Sequence, residues 1–65
     1  MDWLERMKTE QSDLQLRIDK LSKFLYSLAT GELTVSEEEV DLLNTQLNAM
    51  LIYNSMLKKR ISMHT

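Results

Sequence analysis

Residues 4–28 have the sequence LERMKTEQSDLQLRIDKLSKFLYSL, in which mostly apolar residues recur at alternating spacings of three and four. The same rhythm returns in residues 40–64, which read VDLLNTQLNAMLIYNSMLKKRISMH. Spacings of this kind are typical of the contact line between two packed helices. This line, here called the seam, comprises Leu4, Met7, Gln11, Leu14, Ile18, Leu21, Leu25 and Leu28, followed by Val40, Leu43, Leu47, Met50, Asn54, Leu57, Ile61 and His64.

The segment between these two regions reverses the direction of the chain. It contains the only glycine, Gly31, followed by a polar segment through Ser36. Glycine favours the left-handed backbone conformation that ends many helices. The sequence therefore predicts a single all-α domain over residues 1–65, an antiparallel two-helix hairpin with helices near 3–30 and 37–63.

Both predicted helices begin at an N-terminal capping motif. Asp2 with Glu5, and Ser36 with Glu39, have the spacing of a capping box, in which a short polar side chain accepts a hydrogen bond from a backbone amide three residues later. These two motifs set the predicted starts of the helices.

Two amide residues occupy seam positions. Folding the helices back around the glycine places Leu14 opposite Asn54 and Gln11 opposite Leu57, so the two amides fall in adjacent layers. A buried amide costs free energy unless it has a hydrogen-bond partner. We expect Gln11 and Asn54 to bond to each other, or to a neighbouring subunit, and so to fix the register of the helices. The last seam residue, His64, is expected to be frayed and solvated.

The size and composition of the chain predict self-association. With 65 residues and 43% apolar content, two helices cover only part of each other's apolar surface, and such a chain usually needs additional stabilisation. The sequence has no cysteine for a disulfide or thiolate metal site, and its single histidine cannot form a zinc site alone. We expect the hairpin to assemble into a homo-oligomeric helical bundle, with neither a metal nor another cofactor.

A second apolar stripe, on the second helix, is the surface expected to contact another subunit. Its residues recur at intervals of seven and point away from the seam, so the hairpin cannot cover them by itself. This set, here called the outer stripe, consists of Leu42, Ala49, Met56 and Met63.

Charge and hydropathy argue against membranes and nucleic acid as partners. No apolar run approaches membrane-spanning length, and the order of residues at the N-terminus is not that of a signal peptide. The net charge of -2 opposes non-specific binding to nucleic acid, and the basic residues are not collected on one face. The sequence predicts a soluble, cytoplasmic protein that binds neither membranes nor nucleic acid.

One side of the seam, here called the aromatic flank, is the candidate functional surface. If the outer stripe forms a subunit interface, this flank lies at its edge, where small helical oligomers commonly bind ligands. The alternative is that the aromatic rings only widen the interface, and spacing alone favours this alternative. By the register, Glu10 is expected to approach Arg60. The flank carries Trp3, Glu10, Arg17 and Phe24 from the first helix and Glu39, Gln46, Tyr53 and Arg60 from the second, with Arg6 and Lys20 close by.

Catalytic motifs are absent from the sequence. It contains no glycine-rich phosphate loop, no GxSxG elbow, no HExxH motif and no paired histidines. The acidic residues alternate with basic ones or cluster at the start of the second helix, as on solvated helix faces. The sequence therefore predicts a protein that is not an enzyme.

A family resemblance covers nearly the whole chain. Trp3-Leu4-x-Arg6-Met7, the seam leucines and the flank residues together resemble a family of very short phage-encoded hairpin proteins named after crAss-like phages. Position 3 departs from the family pattern, since it holds tryptophan where tyrosine is expected. The specific part of the resemblance consists of Arg6, Glu10, Phe24, Gln46, Tyr53 and Arg60.

The resemblance implies a function in which a nucleotide signal is withheld. Small oligomeric phage proteins of similar build sequester nucleotide signals of bacterial immunity, and they include the Sequestin and Lockin families and the anti-CBASS and anti-Thoeris sponges. The motif does not choose among them. By this resemblance the chain is an anti-defence protein of an infected bacterial cell that binds an ADP-ribose-derived or cyclic oligonucleotide signal. In the implied roles bases stack on Trp3, Phe24 and Tyr53, phosphates meet Arg6, Arg17, Lys20 and Arg60, and Gln46 reads a polar edge.

A second function stays open beside this one. The outer stripe could instead dock the hairpin on a host or phage protein, which would make the chain a helical protein-protein interaction module.

Overall fold

The computed structural model describes residues 2–65, which form two long helices joined by a short loop. Helix α1 spans Trp3–Ala29 and helix α2 spans Glu37–Ser62. The helices pack against each other in antiparallel directions and give the molecule extents of 43 × 16 × 15 Å. No strand occurs among residues 2–65, and each helix bound lies within one residue of the predicted one.

The helix ends confirm the predicted capping chemistry. The Asp2 carboxylate accepts a hydrogen bond from the Glu5 backbone N–H at 2.7 Å, and the Ser36 hydroxyl accepts one from the Glu39 N–H at 3.1 Å. Each bond satisfies an amide that has no partner within its own helix.

Helix α1 ends in a Schellman motif centred on Gly31. This glycine has a φ of +83°, in the left-handed region, and its backbone N–H donates to the Leu28 carbonyl at 3.2 Å. The next amide, that of Glu32, donates to the Ser27 carbonyl at 3.0 Å. These two bonds turn the chain sharply out of the helix and into the loop.

The seam is the contact surface between the helices, as the spacing predicts. Its buried apolar residues are Met7, Leu14, Ile18 and Leu57, and Leu57 is only 1% exposed. The other seam residues are partly or fully buried, with the exception of His64, which is exposed beyond the end of α2.

A chain of polar side chains crosses the seam at its centre. The buried Asn54 accepts a hydrogen bond from the Gln11 amide at 3.0 Å and donates one to the Gln15 carbonyl oxygen, also at 3.0 Å. Gln15 in turn donates to Asp19 at 3.1 Å. No buried side-chain nitrogen or oxygen in residues 2–65 lacks a partner. The expected bond between the two seam amides is therefore confirmed, and Gln15 is an additional member of the network.

The outer stripe is exposed on the hairpin. Leu42 is 59% exposed and Met63 78% exposed, and Ala49 and Met56 are exposed as well. The prediction that one hairpin cannot cover this stripe is confirmed, while its burial by another subunit stays a prediction. Within the described part of the chain, neither helix is apolar over a stretch long enough to cross a membrane.

Replacing Gly31 with alanine should lower the free energy of unfolding by about 1 kcal/mol, because a residue with a Cβ disfavours the left-handed conformation. A Cβ at this position would meet no other atom within 4 Å, so the loss has its origin in the backbone alone. Urea denaturation at a fixed protein concentration measures the change. Asparagine tolerates this conformation better, and an equal loss for Gly31→Asn would contradict the explanation.

Replacing Asn54 with leucine should lower the free energy of unfolding by about 1–3 kcal/mol, because Gln11 loses its acceptor and Gln15 its donor. The double variant Gln11→Leu/Asn54→Leu removes both amides from the seam and should recover most of that loss. The same denaturation experiment compares the two. A double variant less stable than Asn54→Leu would show that the amides do not act as a pair.

Candidate ligand-binding site

An open depression of about 310 Å³ lies where the first turns of α1 meet the last turns of α2. Its lining combines an aromatic ring, two guanidinium groups, a carboxylate and a buried thioether. The lining residues are Trp3, Arg6, Met7, Glu10 and Arg60.

Helical spacing places these side chains together. Residues three or four apart on a helix share one face, which aligns Trp3, Arg6 and Glu10 beside the seam of α1. Met7 belongs to the seam itself and is 6% exposed, so it forms an apolar floor. Arg60 enters from the last turn of α2, on the opposite wall.

The Trp3 ring contacts His64. The two ring centroids are 4.7 Å apart with an interplanar angle of 90°, an edge-to-face arrangement that is favourable for aromatic rings. His64 is exposed, as expected, but it packs on an aromatic ring instead of being surrounded by water alone. The contact holds the indole at the rim of the depression, where half of its surface, 51%, stays exposed.

Glu10 has a different partner from the expected one. The Tyr53 hydroxyl donates a hydrogen bond to the Glu10 carboxylate across the groove between the helices, whereas Arg60 only shares the lining of the depression with Glu10. The prediction assumed that all side chains beside the seam reach equally far. Tyr53 reaches farther than assumed, because its hydroxyl stands at the end of a long rigid ring. This bond connects Tyr53 to the depression, although Tyr53 does not line it.

The remaining residues of the predicted site lie elsewhere on the hairpin. Phe24 follows Trp3 by 21 residues, which corresponds to about 31 Å along α1. Arg17, Lys20 and Gln46 also lie toward the loop. One hairpin therefore joins Trp3, Arg6 and Arg60, with Tyr53 attached through Glu10, and leaves the other four residues apart. That all eight contact one ligand stays a prediction.

The depression is suited to an anion that carries a flat ring. Two guanidinium groups and one carboxylate leave it with a net positive charge, and guanidinium forms paired hydrogen bonds with phosphate. The indole offers a face for stacking. A second depression near the loop, of about 240 Å³, is lined by uncharged residues only and lacks this combination.

Metal binding has no support from the described residues. No group of three or more histidine or acidic side chains in residues 2–65 is arranged to hold a metal ion.

Comparison with known protein families decides the family of this chain. The model of the Sequestin family matches residues 1–63, almost the whole sequence. The chain belongs to the Sequestin family. Among the curated proteins, it is 46% identical over 57 residues to an uncharacterized 7.5 kDa protein from the denB-rIIB intergenic region of Enterobacteria phage T4. That match covers 88% of this chain and 86% of the T4 protein. No solved structure matches at a significant level.

Sequestin is one of the families that the sequence pattern left open. The match includes every residue that lines the depression, since Trp3 and Arg60 both fall within residues 1–63. The narrower resemblance to the crAss-like phage family stays a prediction.

Proposed function

We propose that this chain is a phage anti-defence protein that binds and withholds a small nucleotide signal of bacterial immunity without converting it. The signal would be an ADP-ribose-derived molecule or a cyclic oligonucleotide, held in a pocket at a subunit interface in the cytoplasm of the infected cell. The observation that carries this proposal is the depression in which Trp3 stands beside Arg6 and Arg60.

Each part of a nucleotide has a complementary group in the depression. The base would stack on the exposed indole, while a phosphate would lie between the two guanidinium groups. The second oxygen of the Glu10 carboxylate can accept a hydrogen bond from a ribose hydroxyl. Such a combination of ring, sugar and phosphate contacts favours a nucleotide over inorganic phosphate.

The comparisons supply the biological setting of the proposal. The family name Sequestin denotes sequestration, and the T4 relative is a phage protein. Sequestration requires only affinity and a sufficient amount of protein, because each bound signal molecule is removed from its receptor by mass action. Aromatic and cationic side chains held on two helices would meet this requirement without catalytic groups.

Replacing Arg60 with glutamate should weaken nucleotide binding at least about tenfold, because a phosphate partner becomes a repelling charge. Trp3 is the only tryptophan of the chain and lines the depression, so its fluorescence reports binding directly. Titration with ADP-ribose-derived and cyclic oligonucleotide ligands, repeated by calorimetry, measures the change.

Lys58→Glu is the matched control. It makes the same change of charge two residues away, about 200° around the helix from Arg60, on the opposite side of the seam. Binding should remain within about twofold of the unmodified protein. The proposal fails if no nucleotide of this panel binds, or if Lys58→Glu weakens binding as strongly as Arg60→Glu.

Replacing Glu10 with glutamine should strengthen the binding of phosphate-containing ligands severalfold at low salt. The change removes the only negative charge of the depression, while the glutamine oxygen still accepts the hydrogen bond from Tyr53. Salt should reduce the gain, because the effect is electrostatic at an exposed site. Titrations at two ionic strengths measure it, and weaker binding by Glu10→Gln would show that the bond from the carboxylate to the ribose outweighs its repulsion of the phosphate.

The exposure of the outer stripe favours one alternative function. An apolar row that ends in Met63, 78% exposed, suits a helix-binding groove on a host or phage protein. In that case the chain would be an interaction module, and nucleotide titrations would show no binding.

A further inference from the structure

The outward face of α2 carries a complete second seam. Ile52, which is 65% exposed, lies between the residues of the outer stripe and was not part of the stripe in the sequence pattern. With Ile52, Thr45 and Lys59 included, the outer stripe becomes a row of residues at alternating spacings of three and four over three heptads. This is the pattern of a helix-helix contact. This second seam consists of Leu42, Thr45, Ala49, Ile52, Met56, Lys59 and Met63, all of them exposed.

We propose that a second copy of this chain packs on the second seam in the antiparallel direction, and that each copy adds its Gln46 to the other copy's depression. The placement of Gln46 rests on the proposed function, whereas the pairing of the two helices does not.

Charge complementarity selects a second copy and the antiparallel direction. Helix α2 has acids in its first turn, Glu37, Glu38 and Glu39, and the bases Lys59 and Arg60 in its last turn. In an antiparallel pair the acids of one α2 lie just beyond the basic end of the other, with Glu39 about 9 Å along the axis from Arg60, and the helix dipoles also oppose. A parallel pair would instead place acids beside acids at one end of the two helices and bases beside bases at the other end.

Side-chain size selects the same arrangement. A two-fold axis beside Ile52, midway between residues 52 and 53, sets the small Ala49 opposite the large Met56 of the second copy, and Leu42 opposite Met63. Alternating small and large residues interdigitate well. In a parallel pair Ala49 would face Ala49 and leave a gap, while Lys59 would face Lys59. The contact is isologous, as expected for a symmetric dimer.

This pairing joins residues that one hairpin keeps apart. Within a chain, Gln46 and Arg60 lie 14 residues apart on α2, about 21 Å along the axis. Both stand on the same side of α2, between the two seams. Reversal about Ile52 brings Gln46 of the second copy beside Arg60 of the first, at the mouth of the depression. An amide there reads the polar edge of a base.

Disulfide trapping tests the pairing without any ligand. The chain has no cysteine, so single cysteines introduced on the second seam report only their own proximity. Under mild oxidation Ile52→Cys should cross-link to itself, because its Cα atoms come close at the axis. Neither Leu42→Cys nor Met63→Cys should cross-link alone, but a mixture of these two variants should form a heterodimer.

Control variants distinguish an antiparallel second copy from the other possible partners of the second seam. Asn48→Cys, an exposed position outside both seams, should remain uncross-linked. The opposite result is that Leu42→Cys cross-links to itself while its mixture with Met63→Cys forms no heterodimer. That result would indicate a parallel pair and overturn the proposal. A chain that sediments as a monomer and cross-links at no position would overturn it as well, leaving the face to a different protein.

Mixed oligomers test whether the depression is shared between copies. Arg60→Glu and Gln46→Glu should each weaken nucleotide binding at least about tenfold, so that each variant alone binds little nucleotide at a ligand concentration near the Kd of the unmodified protein. The two variants are then mixed, unfolded and refolded together. A dimer with one copy of each variant contains one intact site, in which Arg60 comes from the Gln46→Glu copy and Gln46 from the Arg60→Glu copy. Random pairing should restore about a quarter of the binding capacity.

The results distinguish this inference from the proposed function. If the unmodified protein binds nucleotide but mixing restores nothing, the site lies within one chain and the shared depression is wrong. If the unmodified protein binds no nucleotide, the proposed function fails and the shared site fails with it. Disulfide trapping still decides the antiparallel pairing in that case.

Discussion

The hydrogen bonds of Asn54 determine how α2 lies along α1, and the candidate site depends on that register. Leucine and methionine side chains pack adequately at several offsets, whereas Asn54 satisfies its amide only when Gln11 and Gln15 stand on both sides of it. A shift by one turn would leave buried polar atoms without partners, at a cost of several kcal/mol. The same register sets Arg60 opposite Arg6 and places the Tyr53 hydroxyl on Glu10.

Most of the fold could be predicted because its determinants are local or periodic. The capping side chains of Asp2 and Ser36 act within three residues, and Gly31 ends its helix through its own backbone conformation. The seam follows from spacing alone, since every turn of a regular helix repeats the previous one.

The contacts of the candidate site were harder to predict because they depend on the reach of individual side chains. Spacing assigned Arg60 to Glu10, but the long phenol of Tyr53 takes that carboxylate. Gln15 stands one position outside the seam, yet its side chain bends back to Asn54. Periodicity identified the aromatic flank as one surface, and the 21 residues between Trp3 and Phe24 on one helix already implied that its residues are spread along the hairpin.

The depression is built from the first turns of α1 and the last turn of α2, and helix ends open more readily than helix centres. At the tips of these ends, Trp3 on one helix and His64 beyond the other are joined by an exposed ring contact. Any molecule that touches both Trp3 and Arg60 therefore acts as a clamp on fraying turns. Part of its binding free energy offsets the entropy lost when these turns become ordered. Ligand binding should therefore slow amide hydrogen exchange mainly in the first turns of α1 and the last turn of α2, far from the loop.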